Sequence, residues 1–295
     1  MAEKKRKRRL GDRNEGRKLR TLHPINRLMP YIMPKRNDSL NFFTEKLDVA
    51  EADKFCRQQI REGKTNFSLL HVFIASYIRV VSQRPAINRF VSGQTIYARN
   101  NIEVLMTIKK KMALDGEEAC IKVVFEPTDT IFDVYDKFNK VVMENKGEEA
   151  EGNSTEKMAS LLNYMPRFLL RFSIWLIKTL DYYALLPKSI INLSPFHGSM
   201  IITSMGSLGI KPVYHHIYDF GNLPIFVSYG AKQTGIKLDE NGVPNKYRYI
   251  EMKVVTDERI CDGYYYASAF KMMKKLFENP HVLENPPESV VEDID

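Results

Sequence analysis

Apolar residues recur along this chain with two periods, and the change from one to the other predicts a layered α/β protein. Over 246–255 the side chains alternate in part and are rich in β-branched and aromatic types, which predicts a strand. Directly after it, Tyr266, Phe270, Met273 and Phe277 fall at helical spacing with Lys271, Lys274 and Lys275 on the other faces, which predicts a helix over about 264–278. Between them Thr256 to Gly263 is a cluster of ionisable and turn-forming residues. A strand thus delivers Asp257, Glu258, Arg259 and Asp262 to a tight corner, and Gly263 lets the chain turn into a helix.

The same patterning predicts a strand over 39–49 and a helix over about 50–61 that ends at Gly63. Thr65 or Asn66 then caps a helix whose face is Phe67, Leu70, Ile74, Tyr77, Ile78 and Val81, stopped by Pro85; His71 beside that face reads as a core residue. Strands are predicted over 94–98, 102–109 and 119–125, and Ile131, Val134, Tyr135, Phe138, Val141 and Val142 make an amphipathic helix. The stretch 24–34 is broken by prolines and allows one short helix at most, and 146–155 reads as a polar loop. The most apolar segment, 165–186, predicts about 20 residues of helix from Pro166. Arg167, Arg171, Lys178 and Asp181 interrupt it, which argues against a membrane span. A core or subunit-contact helix, a helix on a membrane surface and a lid over an acyl chain all remain open for it.

Composition changes this picture in few places. A chain of 295 residues with 44% hydrophobic content buries a sizeable core, as one large domain or two small ones. The net charge of +8 is concentrated: residues 1–20 hold ten Lys or Arg against three acids, leaving +1 for the rest. The expected organisation is a basic flexible tail at 1–23, a folded domain at 24–282 and an acidic tail at 283–295. The basic run fits a solvated tail, and equally contact with an anionic membrane or nucleic acid. Cys56, Cys120 and Cys261 show no CxxC spacing, and no apolar leader precedes the domain, so reduced thiols and a cytoplasmic location are expected. Metal-site, P-loop and Rossmann spacings are absent, as is Gly-x-Ser-x-Gly.

The corner resembles the active-site loop of the chloramphenicol acetyltransferase-like fold, which includes the catalytic domains of the 2-oxoacid dehydrogenase acyltransferases. Their pattern is Asp/His-His-Arg/Ala-x-x/Cys-Asp/Asn-Gly, and Asp257, Arg259, Cys261, Asp262 and Gly263 fit it. The family's catalytic histidine is replaced by Glu258. A second stretch, 198–209, is similar to the family's Gly-Thr-Phe-Thr-Ile-Ser-Asn-Leu-Gly-x-x-Gly, with Thr203 on the serine whose hydroxyl supports the oxyanion. The endings Glu45 to Val49 and Arg84 to Asn88, and the strand 225–231, also match in order, so the resemblance covers roughly residues 24–280.

The resemblance implies an α/β (α+β) two-layer sandwich with a mixed sheet, and a homotrimer with sites between subunits, Glu258 of one copy facing Thr203 of the next. It implies coenzyme A or acyl-CoA as substrate, an acyl thioester as partner molecule, no metal, and a stand-alone domain without a lipoyl domain. Asp262, paired with Arg259 or Arg36, would hold the loop. In the family the histidine takes a proton from the acceptor as it attacks the thioester. Imidazole, near pKa 6.5, suits that step better than a glutamate near about 4.3, and loss of a placed base costs about 10²–10⁴ in rate. His215, His216 and His197 are alternative bases. Two functions therefore compete: a stand-alone acyltransferase, and a catalytically degenerate relative that binds an acyl ligand or a partner. A scaffold tethered through residues 1–20 and the 166–185 helix is a third.

Overall fold

The period-two stretches pair into a mixed sheet in the computed structural model, which describes residues 7–109, 118–145 and 164–295. The loop expected at 146–155 and the cations Lys4, Lys5 and Arg6 lie outside the described residues. In chain order the strands are β1 (Gly16–Lys18), β2 (Leu40–Asp48), β3 (Arg89–Ser92), β4 (Thr95–Arg99), β5 (Ile102–Lys109), β6 (Glu118–Phe125), β7 (Met200–Ser204), β8 (Ile225–Tyr229), β9 (Gln233–Leu238) and β10 (Pro244–Asp257). The helices are α1 (Pro24–Ile32), α2 (Ala50–Arg61), α3 (Leu69–Gln83), α4 (Ile131–Asn145), α5 (Arg167–Tyr182), α6 (Lys188–Leu193) and α7 (Gly263–Glu278).

The main sheet runs β2-β10-β8-β7-β5-β6, with β9 pairing β10 beside the path. β7 is parallel to β8 and β5, and the other pairings are antiparallel. β1, β4 and β3 form a small separate sheet.

Alternation along the strands sorts two cores. Met200, Ile202, Val227 and Val254 face the large core, to which α2, α3, α4 and α7 contribute Phe55, Phe73, Val134 and Phe277. Their neighbours Ile201, Phe226 and Val255 face the other way, against Ile217 and Leu223 from the β7–β8 connection. The expected sandwich is present: helices cover one face of a mixed sheet, and an irregular segment seals part of the other.

Two boundaries differ from expectation. α3 is capped by Ser68, not by Thr65 or Asn66, because Asn66 takes a left-handed φ of 66°. The Ser68 amide donates to His71 Nδ1 at 3.0 Å; burial pushes His71 down to about 4, so it is a neutral core imidazole. β10 extends through Asp257, because Asn41 on one side and Ile225 on the other still pair with Thr256.

The described part of the basic tail, from residue 7, and the acidic segment at the other end dock on the fold. Arg13 and Glu15 are buried, and β1 pairs with β4. The C-terminal segment docks beside them: Asp295 O accepts from the amides of Arg20 and Thr21 at 2.8 and 2.6 Å, and Arg9 meets the Asp295 carboxylate at 2.9 Å. Arg17 donates to the carbonyls of Asp293 and Ile294, and Arg89 grips the Asp293 carboxylate at 2.5 and 2.7 Å. Opposite charge at the two ends closes them on each other. Arg9 and Arg17 are thereby engaged by the C-terminal segment, while Arg8 and Arg20 bind Asp12, and Arg13 binds Glu15 and Asp181.

Candidate functional site

The predicted corner lies at the sheet end where β10 turns into α7. Its centre is Asp257, 0% exposed. Arg259 binds it in a fork, Nε to Oδ1 at 2.8 Å and Nη2 to Oδ2 at 2.6 Å. Arg36 reaches Oδ2 at 3.3 Å, and Ser39 Oγ donates to Oδ1 at 3.1 Å. Burial alone would raise this carboxyl, but the hydrogen bonds and charge of Arg259, then Arg36, outweigh it and hold the group below the ordinary carboxylate range. The arginines also tie in distant chain: Arg259 donates to Met33 O after α1, and Arg36 to the carbonyls of Val91, Tyr218 and Gly221.

This corrects one expectation about the loop. Arg259 and Arg36 both pair with Asp257, not with Asp262. Asp262 is exposed and accepts the Tyr265 amide at 2.8 Å, as the N-cap of α7. The reason is reach. Asp257 ends the strand and is enclosed on both sides, whereas Asp262 has already left the sheet and satisfies an orphan helix amide.

Glu258 follows Asp257 but points elsewhere. Its amide donates to Ser39 O at 2.9 Å, and it lines an open cleft of about 570 Å³ with Arg259, Cys261, Asp262 and, from around α1, His23 and Asn26. It is half-buried, and among the described residues its carboxylate makes no ion pair, because Arg259 is turned onto Asp257. Burial pushes the Cys261 thiol up to about 12, which removes it as a thiolate nucleophile. His23 lines the same cleft and was not predicted. Its sequence position, before Pro24 in a proline-broken stretch, carries no sign of this; it enters the cleft because α1 crosses in front of the corner.

Thr203 lies on β7, half-buried and in register with Ser228, which is in register with Lys253. Lys253 precedes Glu258 by five residues on the antiparallel side. At about 3.3 Å per residue and about 4.8 Å per strand, this separates Thr203 from Glu258 by roughly 19 Å. One chain does not bring them together.

The alternative bases also fall apart in space. His197 is 0% exposed, with Nδ1 2.8 Å from Ser194 Oγ and Nε2 3.4 Å from Asp181 Oδ2. The order Ser194–His197–Asp181 looks like a relay, but all three are buried, and His197 at its centre is wholly enclosed. His197 is therefore a structural residue. The His215 ring stacks on Phe226, centroids 4.4 Å apart at 12°, on the sheet face opposite the large core; burial and then His216 lower its pKa. His216 is exposed, and neither it nor His215 lines the Glu258 cleft. Among the described residues no group of three or more acids, histidines and cysteines is placed to hold a metal.

No family model matches this chain, and no curated protein matches it in sequence. Solved structures do. A probable dihydrolipoamide acetyltransferase from Listeria monocytogenes 4b F2365 superposes over 88% of this chain and 94% of its own, with TM-score 0.56 and 12% identity. Azotobacter vinelandii dihydrolipoamide acetyltransferase, solved in a study of a serine, a histidine and an asparagine in its catalytic mechanism, matches over 90% and 93%, with TM-score 0.51 and 12% identity. A chloramphenicol acetyltransferase matches over 86% and 94%, with TM-score 0.51 and 10% identity. The chain has the chloramphenicol acetyltransferase-like fold of 2-oxoacid dehydrogenase acyltransferase catalytic domains. Identities of 10–12% establish the fold and nothing finer.

Proposed function

We propose that the protein transfers an acyl group from a coenzyme A-type thioester, at sites assembled between copies in a homotrimer. The observation that carries this reading is Glu258: an unpaired carboxylate at a cleft of about 570 Å³, on a corner fixed by the Asp257 knot. The knot takes up both arginines and leaves Glu258 free to accept a proton. The serine, histidine and asparagine of the Azotobacter enzyme's mechanism correspond in order along the resemblance to Thr203, Glu258 and Asp262 here, and Glu258 is the position that departs in type.

In this scheme an acceptor thiol or hydroxyl gives its proton to Glu258 and attacks the thioester carbonyl. The Thr203 hydroxyl of a neighbouring copy donates to the tetrahedral oxyanion. The intermediate collapses, the carbon–sulfur bond breaks, and the leaving thiolate takes the proton back from Glu258. Asp262 caps α7 behind the site, and Arg259 and Arg36 hold the strand end. His23 lines the same cleft. The separation of Thr203 from Glu258 within one chain is the reason a second copy is required.

The second reading is a degenerate relative that binds the same thioester without turnover, and the replacement of histidine by Glu258 favours it. A thiol-release assay over an acyl-CoA panel separates the two. Turnover in the wild type that falls about 10²–10⁴-fold in Glu258→Gln supports transfer. A silent wild type that gains activity as Glu258→His supports the binding reading. A panel in which no acyl-CoA binds at all overturns both, and light scattering showing a strict monomer removes the shared site.

A further inference from the structure

The apolar helix expected in the core, at a subunit contact, on a membrane or over a ligand is not in the core. α5 keeps one residue buried, Asp181 at its last turn. Arg13 binds that carboxylate and also donates to the Asp181 carbonyl at 2.7 Å, while Tyr182 Oη meets Gln94 Oε1 at 2.6 Å. The helix is pinned at this end, and among the described residues no helix or strand packs closely along its length.

The outward face has a defined composition. Phe168, Phe172, Trp175, Thr179 and Tyr182 follow at four- and three-residue steps, so they share one stripe. Phe168, Phe172 and Trp175 are 76, 54 and 58% exposed, and the last two rings lie 5.7 Å apart. Thr179 does not break the stripe, because its hydroxyl donates back to the Trp175 carbonyl at 2.8 Å. Arg167, Arg171 and Lys178 recur at steps of four and seven and make an exposed cationic flank beside it. The helix's one acid, Asp181, faces inward. An aromatic stripe of this size left in water marks an interaction surface. Cations on one flank, and no carboxylate on the outer face, select an anionic one.

We propose that α5 docks the protein on an anionic lipid surface, lying in the headgroup plane with Phe168, Phe172 and Trp175 among the acyl chains and Arg167, Arg171 and Lys178 on lipid phosphates. The length fits a helix that lies on a bilayer; no described helix is long and apolar enough to cross one. A second copy of the chain is the alternative occupant. An antiparallel symmetric pairing of this face sets the cationic flanks on the same side with no acid between them, which disfavours that arrangement.

Trp175 is the chain's single tryptophan and reports directly. The full-length protein is mixed with phosphatidylcholine vesicles with and without phosphatidylglycerol, following Trp175 emission and co-sedimentation. The expected result is a blue shift and co-sedimentation with the anionic vesicles alone, reversed by salt. Each neutralisation, Arg171→Gln or Lys178→Gln, weakens partitioning about fivefold, and Phe168→Asp abolishes it. Unchanged emission overturns the proposal. Equal binding to both vesicle types overturns the role of the cations. A blue shift that grows with protein concentration, without vesicles, assigns the face to a second copy instead.

Discussion

Two buried aspartates organise this molecule, and they are held by different kinds of partner. Asp257 ends β10 between two permanent cations, Arg259 and Arg36, each also bonded to backbone carbonyls. Asp181 ends α5 between one cation, Arg13, and one imidazole, His197. Behind Asp257, α7 packs on the large core; beyond Asp181, α5 lies open to solvent. The same residue type, buried in both places, closes a site in one and tethers a helix in the other. What differs is how much apolar surface the adjoining helix buries, which is large for α7 after Asp257 and nearly nil for α5 before Asp181.

The strongest way to break the comparison is Asp257→Asn. It leaves two buried guanidiniums without their carboxylate, and loss of one partner of a buried pair costs about 3–5 kcal/mol. Urea unfolding should show that loss as a lower midpoint with unchanged slope. A midpoint within error of the wild type means the knot is not what holds the corner.

Acid sharpens the comparison next. The carboxyl groups of Asp257 and Asp181 both lie below their ordinary value: burial opposes this, and the partners' hydrogen bonds and charges outweigh it. Their contribution is complete above the unfolded aspartate value of about 3.9 and is lost only as pH falls through the folded value. Neither carboxylate therefore gives a slope between about pH 6.5 and 4. His71 does, because burial holds it neutral down to about 4 while the unfolded chain protonates near 6.5. Stability should fall by about 3 kcal/mol across that window, and His71→Gln should flatten the slope whatever it does to the absolute value. A slope that survives in His71→Gln points to another buried group.

The smallest expected effect is Arg13→Ala. His197 Nε2 stays 3.4 Å from Asp181 Oδ2 and leaves that carboxylate one polar partner, so the cost falls at the low end for a broken buried pair, about 3 kcal/mol. The distinguishing readout is amide exchange. Residues 167–182 should lose protection while β10 keeps it, because among the described residues no helix or strand packs closely along α5, and its other ties, His197 on Asp181 and Tyr182 on Gln94, lie at the same end. Equal loss in both would make the Asp181 knot part of the global core.

Much of the site's frame was legible in the chain. The partial alternation of 246–255 and the helical spacing of Tyr266, Phe270, Met273 and Phe277 are local signals, and β10 and α7 follow them. The 198–209 resemblance singled out Thr203, and β7 carries it. Three short strands were missed for different reasons. β1 and β3 are three and four residues long and alternate too briefly to register. β9 alternates weakly before the Asn241–Gly242 turn, where Gly242 takes φ 77°.

What the sequence by itself determined is the type and order of the main elements, because hydrophobic period is written in residues a few positions apart. It also located the corner and the Glu258 replacement within it. The tertiary structure decided which aspartate the arginines hold: Arg36 and Asp257 are 221 residues apart, and a buried carboxylate draws every cation within reach, while an exposed N-cap competes with water for them. It brought His23 into the Glu258 cleft and closed the charged tails on each other. It also turned α5 outward, since apolar residues spread around a helix define no inner face until the rest of the fold supplies, or withholds, something to pack against.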